Sequence, residues 1–186
     1  MTKINIGLIS GSTRTASINR QLVAAMAQVF EDKGASAHIV DLRDYEMPIY
    51  NGDDEAAHGV PAAAARLIDM IGTFDGVFIT TPEYNGCMPA LLKNTIDWTT
   101  RLGTDHFSEP VYGIGAASPG GLSGIMALRQ LHFILARLGA QVVPTQLGVG
   151  HAGKAFSDDG QFAELALKTR AEKLVGQMLA SIHVKS

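Results

Sequence analysis

Thr80–Trp98 reads TTPEYNGCMPALLKNTIDW. It opens inside an apolar run, Gly76–Thr81 (GVFITT), that has the length and side chains of a buried strand and stops at Pro82. Turn chemistry follows at Glu83-Tyr84-Asn85-Gly86, and Pro89 then starts a helical pattern that runs to Leu102 and ends at Gly103. Proline and glycine fix the backbone on either side of the turn. The stretch therefore predicts strand, rigid loop and helix. It sets a row of peptide N–H and C=O groups and one aromatic, Tyr84, at the carboxyl end of the strand. Such a loop suits a flat heteroaromatic ring that needs hydrogen bonds along one edge and an apolar wall against its face.

The same order recurs on either side. Ile4–Ser10 (INIGLIS) is a short apolar run, followed by Gly11-Ser12-Thr13-Arg14-Thr15-Ala16-Ser17. Ile18, Leu22, Met26, Val29 and Phe30 then fall at helical spacing. A hydroxyl-rich loop between strand and helix aims unsatisfied N–H groups and the positive end of the helix at an anion. Ser12, Thr13, Thr15 and Ser17 add hydroxyls, and Arg14 adds a charged fork suited to phosphate. Residues 11–19 contain neither the GKS/GKT of a nucleoside-triphosphate loop nor a GxGxxG dinucleotide fingerprint. Later, the strand-like run Val111–Ala117 leads into Ala116–Gly124 (AASPGGLSG), where Gly120 and Gly121 let the backbone approach a ligand without a Cβ in the way.

The pattern between these loops is regular. Helices are predicted over Ser17–Lys33, Pro61–Ile71, Pro89–Leu102, Ser123–Leu138 and Phe162–His183, with further strands at Ala37–Leu42 and Gln141–Thr145. Arg43–Gly59 reads as an acidic loop. Five strands alternating with five helices specify a doubly wound α/β arrangement: one parallel five-stranded sheet, helices on both faces, right-handed crossovers. In such a sheet the loops at the carboxyl ends of strands, around a switch in strand order, build one crevice.

Composition narrows the classes. The chain has 186 residues, enough for a single core, and residues 1–186 are expected to form one domain. Apolar residues make up 46% and charged residues 18%, which reads as globular. A net charge of −3 with pI near 6.0 is too mild to point to nucleic acid or a membrane surface as partner. The one cysteine, Cys87, excludes an internal disulfide and fits a reducing compartment. Lys3 leads straight into a strand, so no signal peptide is expected, and no apolar stretch approaches a membrane span. The expected location is the cytoplasm.

On GSTRTASINRQL, PEYNGCMPALLKNTIDW and SPGG the chain resembles the NADPH-dependent FMN reductases with a flavodoxin-like fold, a group that includes small quinone, chromate, azo-dye and ferric reductases. The resemblance runs from Lys3 to about Leu138 and leaves the segment after Ala140 unmatched. It implies that Ser12, Arg14, Ser17 and Asn19 belong to the loop holding the phosphate of non-covalent FMN. It implies that Pro82, Glu83, Tyr84 and Asn85 run along the isoalloxazine ring, and that Ser118, Gly120 and Gly121 lie at its pyrimidine side. NADH or NADPH would supply hydride, and a quinone, ferric complex, chromate or azo dye would accept electrons, in ping-pong order. The redox chemistry belongs to the flavin, so no catalytic triad or carboxylate pair is needed. A flavodoxin-type electron carrier between protein partners is the alternative. Such carriers tend to be strongly acidic and to bring aromatics to both ring faces, whereas here only Tyr84 is well placed.

The remaining residues read more plainly. None of the six histidines has metal-ligand spacing, so no metal is expected. Cys87 reads as a small buried hydrophobe and Trp98 as core or interface. Arg101 is the cation nearest the pocket in sequence and His151 sits in a glycine-rich loop; each is a candidate for the substrate pocket, and each also reads as a surface residue. In Ser123–Leu138, Ile125, Met126, Leu128, Leu131, Phe133, Ile134, Leu135 and Leu138 cover more of the circumference than the roughly 100° stripe a sheet face can bury. A second subunit would cover the excess, and the family tends to homodimers and homotetramers with the flavin near the interface.

Overall fold

The computed structural model describes residues 3–185. Its strands are β1 (Asn5–Ser10), β2 (Ser36–Val40), β3 (Gly76–Thr80), β4 (Val111–Ala117), β5 (Gln141–Val142) and β6 (Leu147–Val149). Its helices are α1 (Ile18–Asp32), α2 (Gly52–His58), α3 (Ala62–Ile71), α4 (Ala90–Thr99), α5 (Asp105–Ser108), α6 (Ile125–Arg137) and α7 (Leu165–Lys185). All strand pairings are parallel, in the order β2-β1-β3-β4-β5, with β6 also on β4. Side chains alternate between the two faces, as the period of a strand requires. Ile6, Leu8 and Phe78 pack with α1 and α7, while Ile9, Val77, Ile79, Tyr112 and Ile114 pack with α3, α4 and α6.

Register matters most for the site. Ser10 pairs with Thr80, and Thr80 with Gly115, so β1, β3 and β4 reach the carboxyl edge of the sheet together. The chain leaves β1 outward to β2 and returns on the other side of β1 as β3, which puts the switch in strand order between the loops at 11–17 and 81–86. Gly113 lets α7 lie close to this sheet, since a Cβ there would come 2.5 Å from the Met178 sulfur.

Three expectations need correction. The predicted fifth strand Gln141–Thr145 stops short as β5 at Val142, because Pro144 has no N–H to donate and the Thr145 N–H turns to the Gln177 side chain (3.0 Å); β6 forms beyond the predicted range. Within the expected loop 43–59, α2 forms with no buried residue at all. Asn51 caps it, Asp53, Asp54 and Glu55 sit in its first turn, and Gly59 ends it, so capping and dipole effects hold a helix that hydrophobic periodicity cannot reveal. Cys87 is exposed, not buried, because it closes a two-residue turn with Tyr84 before the helix begins.

At the opposite edge of the sheet, α5 buries His106, whose Nε2 has no hydrogen-bond partner. Its backbone carbonyl accepts from the Tyr112 hydroxyl (2.6 Å) and its ring lies 4.1 Å from that of Phe107. Burial lowers the His106 pKa to about 4. Below an unfolded value near 6.5, the unfolded chain takes up a proton that the folded chain refuses until about pH 4, so folding stability falls as pH drops through that window. The slope from this one group is at most about 1.4 kcal/mol per pH unit. Urea unfolding of His106→Phe beside the wild type at pH 7 and pH 5 should show a smaller loss for the variant; equal losses would mean that His106 does not carry this term.

Candidate functional site

The loops after β1, β3 and β4 meet over a cavity of about 220 Å³ lined by Ser12, Arg14, Ser17, Ile18, Asn19, Pro82, Glu83, Tyr84, Ala117, Ser118 and Pro119. Of the sequence-predicted cofactor residues, only Asn85, Gly120 and Gly121 lie outside its lining, farther out on the same loops.

Each loop is tied to its neighbour. The Gly11 N–H donates to the Thr80 carbonyl (2.7 Å), and the Thr81 N–H to that of Gly115 (2.9 Å). The strongest tie is Asn19, in the first turn of α1 and 1% exposed. Its Nδ2 donates to the Ala117 carbonyl (2.9 Å), and its Oδ1 accepts from the Ala117 N–H (3.0 Å). Its backbone carbonyl also accepts from the Thr80 hydroxyl (3.2 Å). Asn19 thus joins all three loops, and both ends of its amide are engaged in doing so. Ser17 caps α1, accepting from the Asn19 N–H (3.2 Å).

The second loop is a tight turn. Tyr84 and Cys87 exchange backbone hydrogen bonds (2.9 and 3.0 Å) around Asn85 (φ 54°) and Gly86 (φ 75°). Positive φ at both central residues makes this the Asn-Gly hairpin turn. Gln130 of α6 straps it, donating to the Gly86 carbonyl (3.2 Å) and accepting from the Met88 N–H (3.1 Å). Glu83 turns its carboxylate onto the start of α6, where Oε2 accepts from the N–H groups of Met126 (2.9 Å) and Ala127 (3.2 Å). Tyr84, 55% exposed, leaves its ring at the rim.

Electrostatically the two helix ends differ. The positive end of α6 is satisfied by Glu83, whereas α1 has no acidic residue in its first turn. Beside it, the peptide N–H groups of Thr13, Arg14, Thr15 and Ala16 find no acceptor among the described residues, nor do those of Gly120 and Gly121. Arg14 is exposed and makes no ion pair among the described residues. This donor set fits a phosphate at the first loop and the hydrogen-bonding edge of a heterocycle at the third.

The two candidate pocket residues stand apart from this cavity. Arg101 donates from Nε to Glu55 of α2 (2.8 Å), 5.9 Å from the centre of the Tyr50 ring, and this contact lowers the Glu55 carboxyl below its ordinary range. His151 is exposed, and its N–H donates to the Gly120 carbonyl (3.2 Å), so it backs the third loop. Trp98 is buried: its indole N–H and the Asn94 amide both donate to the Pro48 carbonyl (2.7 and 2.8 Å), anchoring the segment before α2. Among the described residues no group of His, Cys, Asp and Glu side chains could hold a metal ion. Sequence reasoning missed Gln130 and the clamp role of Asn19, since each contact spans more than forty residues of chain.

Comparison with known proteins agrees with this geometry. The chain is 29% identical over 180 residues to a quinone reductase of Escherichia coli strain K12, covering 96% of this chain and 93% of that one. It is 32% identical over 178 residues to an NAD(P)H-dependent FMN reductase of Pseudomonas aeruginosa, covering 95% and 91%. Among solved structures, FerB, a flavoenzyme NAD(P)H:acceptor oxidoreductase from Paracoccus denitrificans, superposes with a TM-score of 0.81 at 27% identity over 97% of both chains. Residues 4–154 match the family model of the NADPH-dependent FMN reductases, and the chain belongs to that family.

Proposed function

We propose that this protein, acting as one FMN-binding domain, is an NAD(P)H-dependent reductase of quinones and related small acceptors such as ferric complexes, chromate or azo dyes. The observation that carries the reading is the crevice where three loops meet and the first and third present unpaired peptide donors that fit a phosphate and a ring edge. FMN held there would supply the two-electron chemistry that links a nicotinamide hydride donor to the acceptor. The protein's part is to bind and orient. Arg14, Ser12 and the start of α1 hold the phosphate. Pro82, Tyr84 and Asn85 line the ring, and the Gly120 and Gly121 N–H groups favour negative charge on its pyrimidine end. Asn19 and Glu83 hold the loops in place.

Donor and acceptor would use one pocket in turn. The purified yellow protein should therefore oxidise NADH or NADPH with menadione alone, giving parallel double-reciprocal lines. Converging lines, or no turnover without a protein partner, would contradict the reading.

The expected site of action is the cytoplasm, on the lone cysteine and because no helix among the described residues is long and apolar enough to cross a membrane. The expected form is a homodimer or homotetramer. A groove of about 650 Å³ between α4 and α6 is lined mainly by apolar groups, Met88, Ala90, Met126, Phe133 and Ile134 among them, and Phe133 is 68% exposed. Phe133→Lys should yield monomers or aggregates with less FMN; light scattering that reports a monomeric wild type at micromolar concentration would contradict this.

Arg14 and Asn19 should separate by ligand. A charge-assisted contact contributes about 1.5–3 kcal/mol, so Arg14→Ala should weaken FMN roughly 10- to 150-fold and riboflavin hardly at all. Asn19→Ala strands two buried peptide groups of Ala117, at about 1–3 kcal/mol each, and should lower stability while weakening FMN and riboflavin alike. Titration of both ligands followed by flavin fluorescence distinguishes the two outcomes.

A further inference from the structure

A second groove, of about 920 Å³, lies behind the third loop. Its lining includes Pro119 and Gly121 of that loop, Gly150 and Lys154 of the loop after β6, and Glu164 and Arg170 around the start of α7. Pro119 also lines the cofactor crevice, so one residue forms a wall of both. The volume falls within the range of about 300–1,000 Å³ usual for small-molecule sites.

The walls are preformed. The Ser118 N–H donates to the Val149 carbonyl (2.9 Å), the His151 N–H to Gly120 (3.2 Å) and the Ala152 N–H to Ser118 (3.1 Å). Residues 148–153, GVGHAG, have the GxGxxG spacing, but the motif runs into a single turn of 3-10 helix at Ala152–Lys154 and not the long helix of a dinucleotide fold. Packing explains two of these glycines: a Cβ on Gly148 or Gly150 would come within 3.0 Å of the Ser123 side chain. They bring the loops after β4 and β6 together into one rigid wall.

Charge selects the occupant. The chain carries a net −3, yet this groove holds Lys154 and Arg170, with His151 beside them, against the one carboxylate of Glu164. Neither Lys154 nor Arg170 has an ion-pair partner among the described residues. The other cations around the crevice, Arg129 excepted, are committed. Arg14 lines the cofactor cavity, Arg20 and Arg43 share Asp41, Lys93 pairs with Asp97, and Arg101 pairs with Glu55. Arg129 too makes no ion pair among the described residues, but it lies in the apolar groove between α4 and α6. A nicotinamide dinucleotide whose reactive ring lies on the flavin must set its anionic diphosphate tail somewhere within reach. We propose that the groove behind the third loop receives that tail, with Lys154 and Arg170 as the cations that face its phosphates. This rests on the reading of the protein as an NAD(P)H-dependent reductase.

Calorimetry with ADP as probe on the FMN-loaded protein tests the assignment. ADP should bind the wild type. A variant carrying Lys154→Gln and Arg170→Gln should bind it roughly tenfold more weakly or worse, since each lost phosphate contact is a charge-assisted hydrogen bond. Both positions are exposed, so FMN content and the unfolding midpoint should not move. The variant's KM for the dinucleotide should rise while its KM for menadione stays put. A control carrying Lys168→Gln and Lys173→Gln, on α7 outside the groove lining, removes the same charge and should bind ADP like the wild type. Absence of ADP binding to the wild type, unchanged binding in the first variant, or equal weakening in the control would overturn the proposal. A holoenzyme that oxidises neither NADH nor NADPH would instead overturn the functional reading beneath it.

Discussion

Two hydrogen bonds from one buried amide hold this site together. Asn19 grips both the N–H and the C=O of Ala117, 98 residues away, and so fixes the first turn of α1 against the end of β4. Between them lies β3, tied to the same residue through the Thr80 hydroxyl. Without that clamp the aligned ends of β1, β3 and β4 would still share a sheet edge and the ties from Gly11 to Thr80 and from Thr81 to Gly115, but the direct link between the first turn of α1 and the third loop would be lost. A ligand that touches both the first and third loops needs their separation fixed in advance, because ordering it on binding would cost affinity.

Electrostatics then divides the labour between two helices that start at the same edge. Glu83 satisfies α6 from within the chain, which removes it as an anion site and draws the second loop towards it. Helix α1 keeps its positive end and its neighbouring peptide donors uncommitted. An anion is thereby directed to one helix and not the other. Gln130 completes the arrangement by holding the Asn85-Gly86 turn, so the wall beside Tyr84 is fastened to α6 at two points.

Much of this was legible before any coordinates. Apolar runs ending in proline or glycine marked β1, β3 and β4, and the three loops followed from them. What stayed hidden was either long-range or local without a pattern. The partners of Asn19 and Gln130 lie 98 and more than forty residues away, and no spacing rule announces them. Helix α2 buries nothing, so periodicity is silent and only the Asn51 cap and the acidic first turn betray it. Pro144 was visible, yet its effect, ending β5 at Val142 before β6 begins at Leu147, goes with the Gln177 side chain of α7 taking the Thr145 N–H. The apolar excess of α6 was legible, and Phe133 is indeed left exposed.

The central claim is that three loops, held by one clamp, close on a single FMN. Hydrogen exchange of the apoprotein and the FMN-loaded protein, resolved to single amides, addresses it directly. The account predicts new protection concentrated at residues 13–16, 85–86 and 120–121, with little change at the already bonded amide of Ala117. Protection confined to one loop, or spread evenly over the sheet, would contradict it.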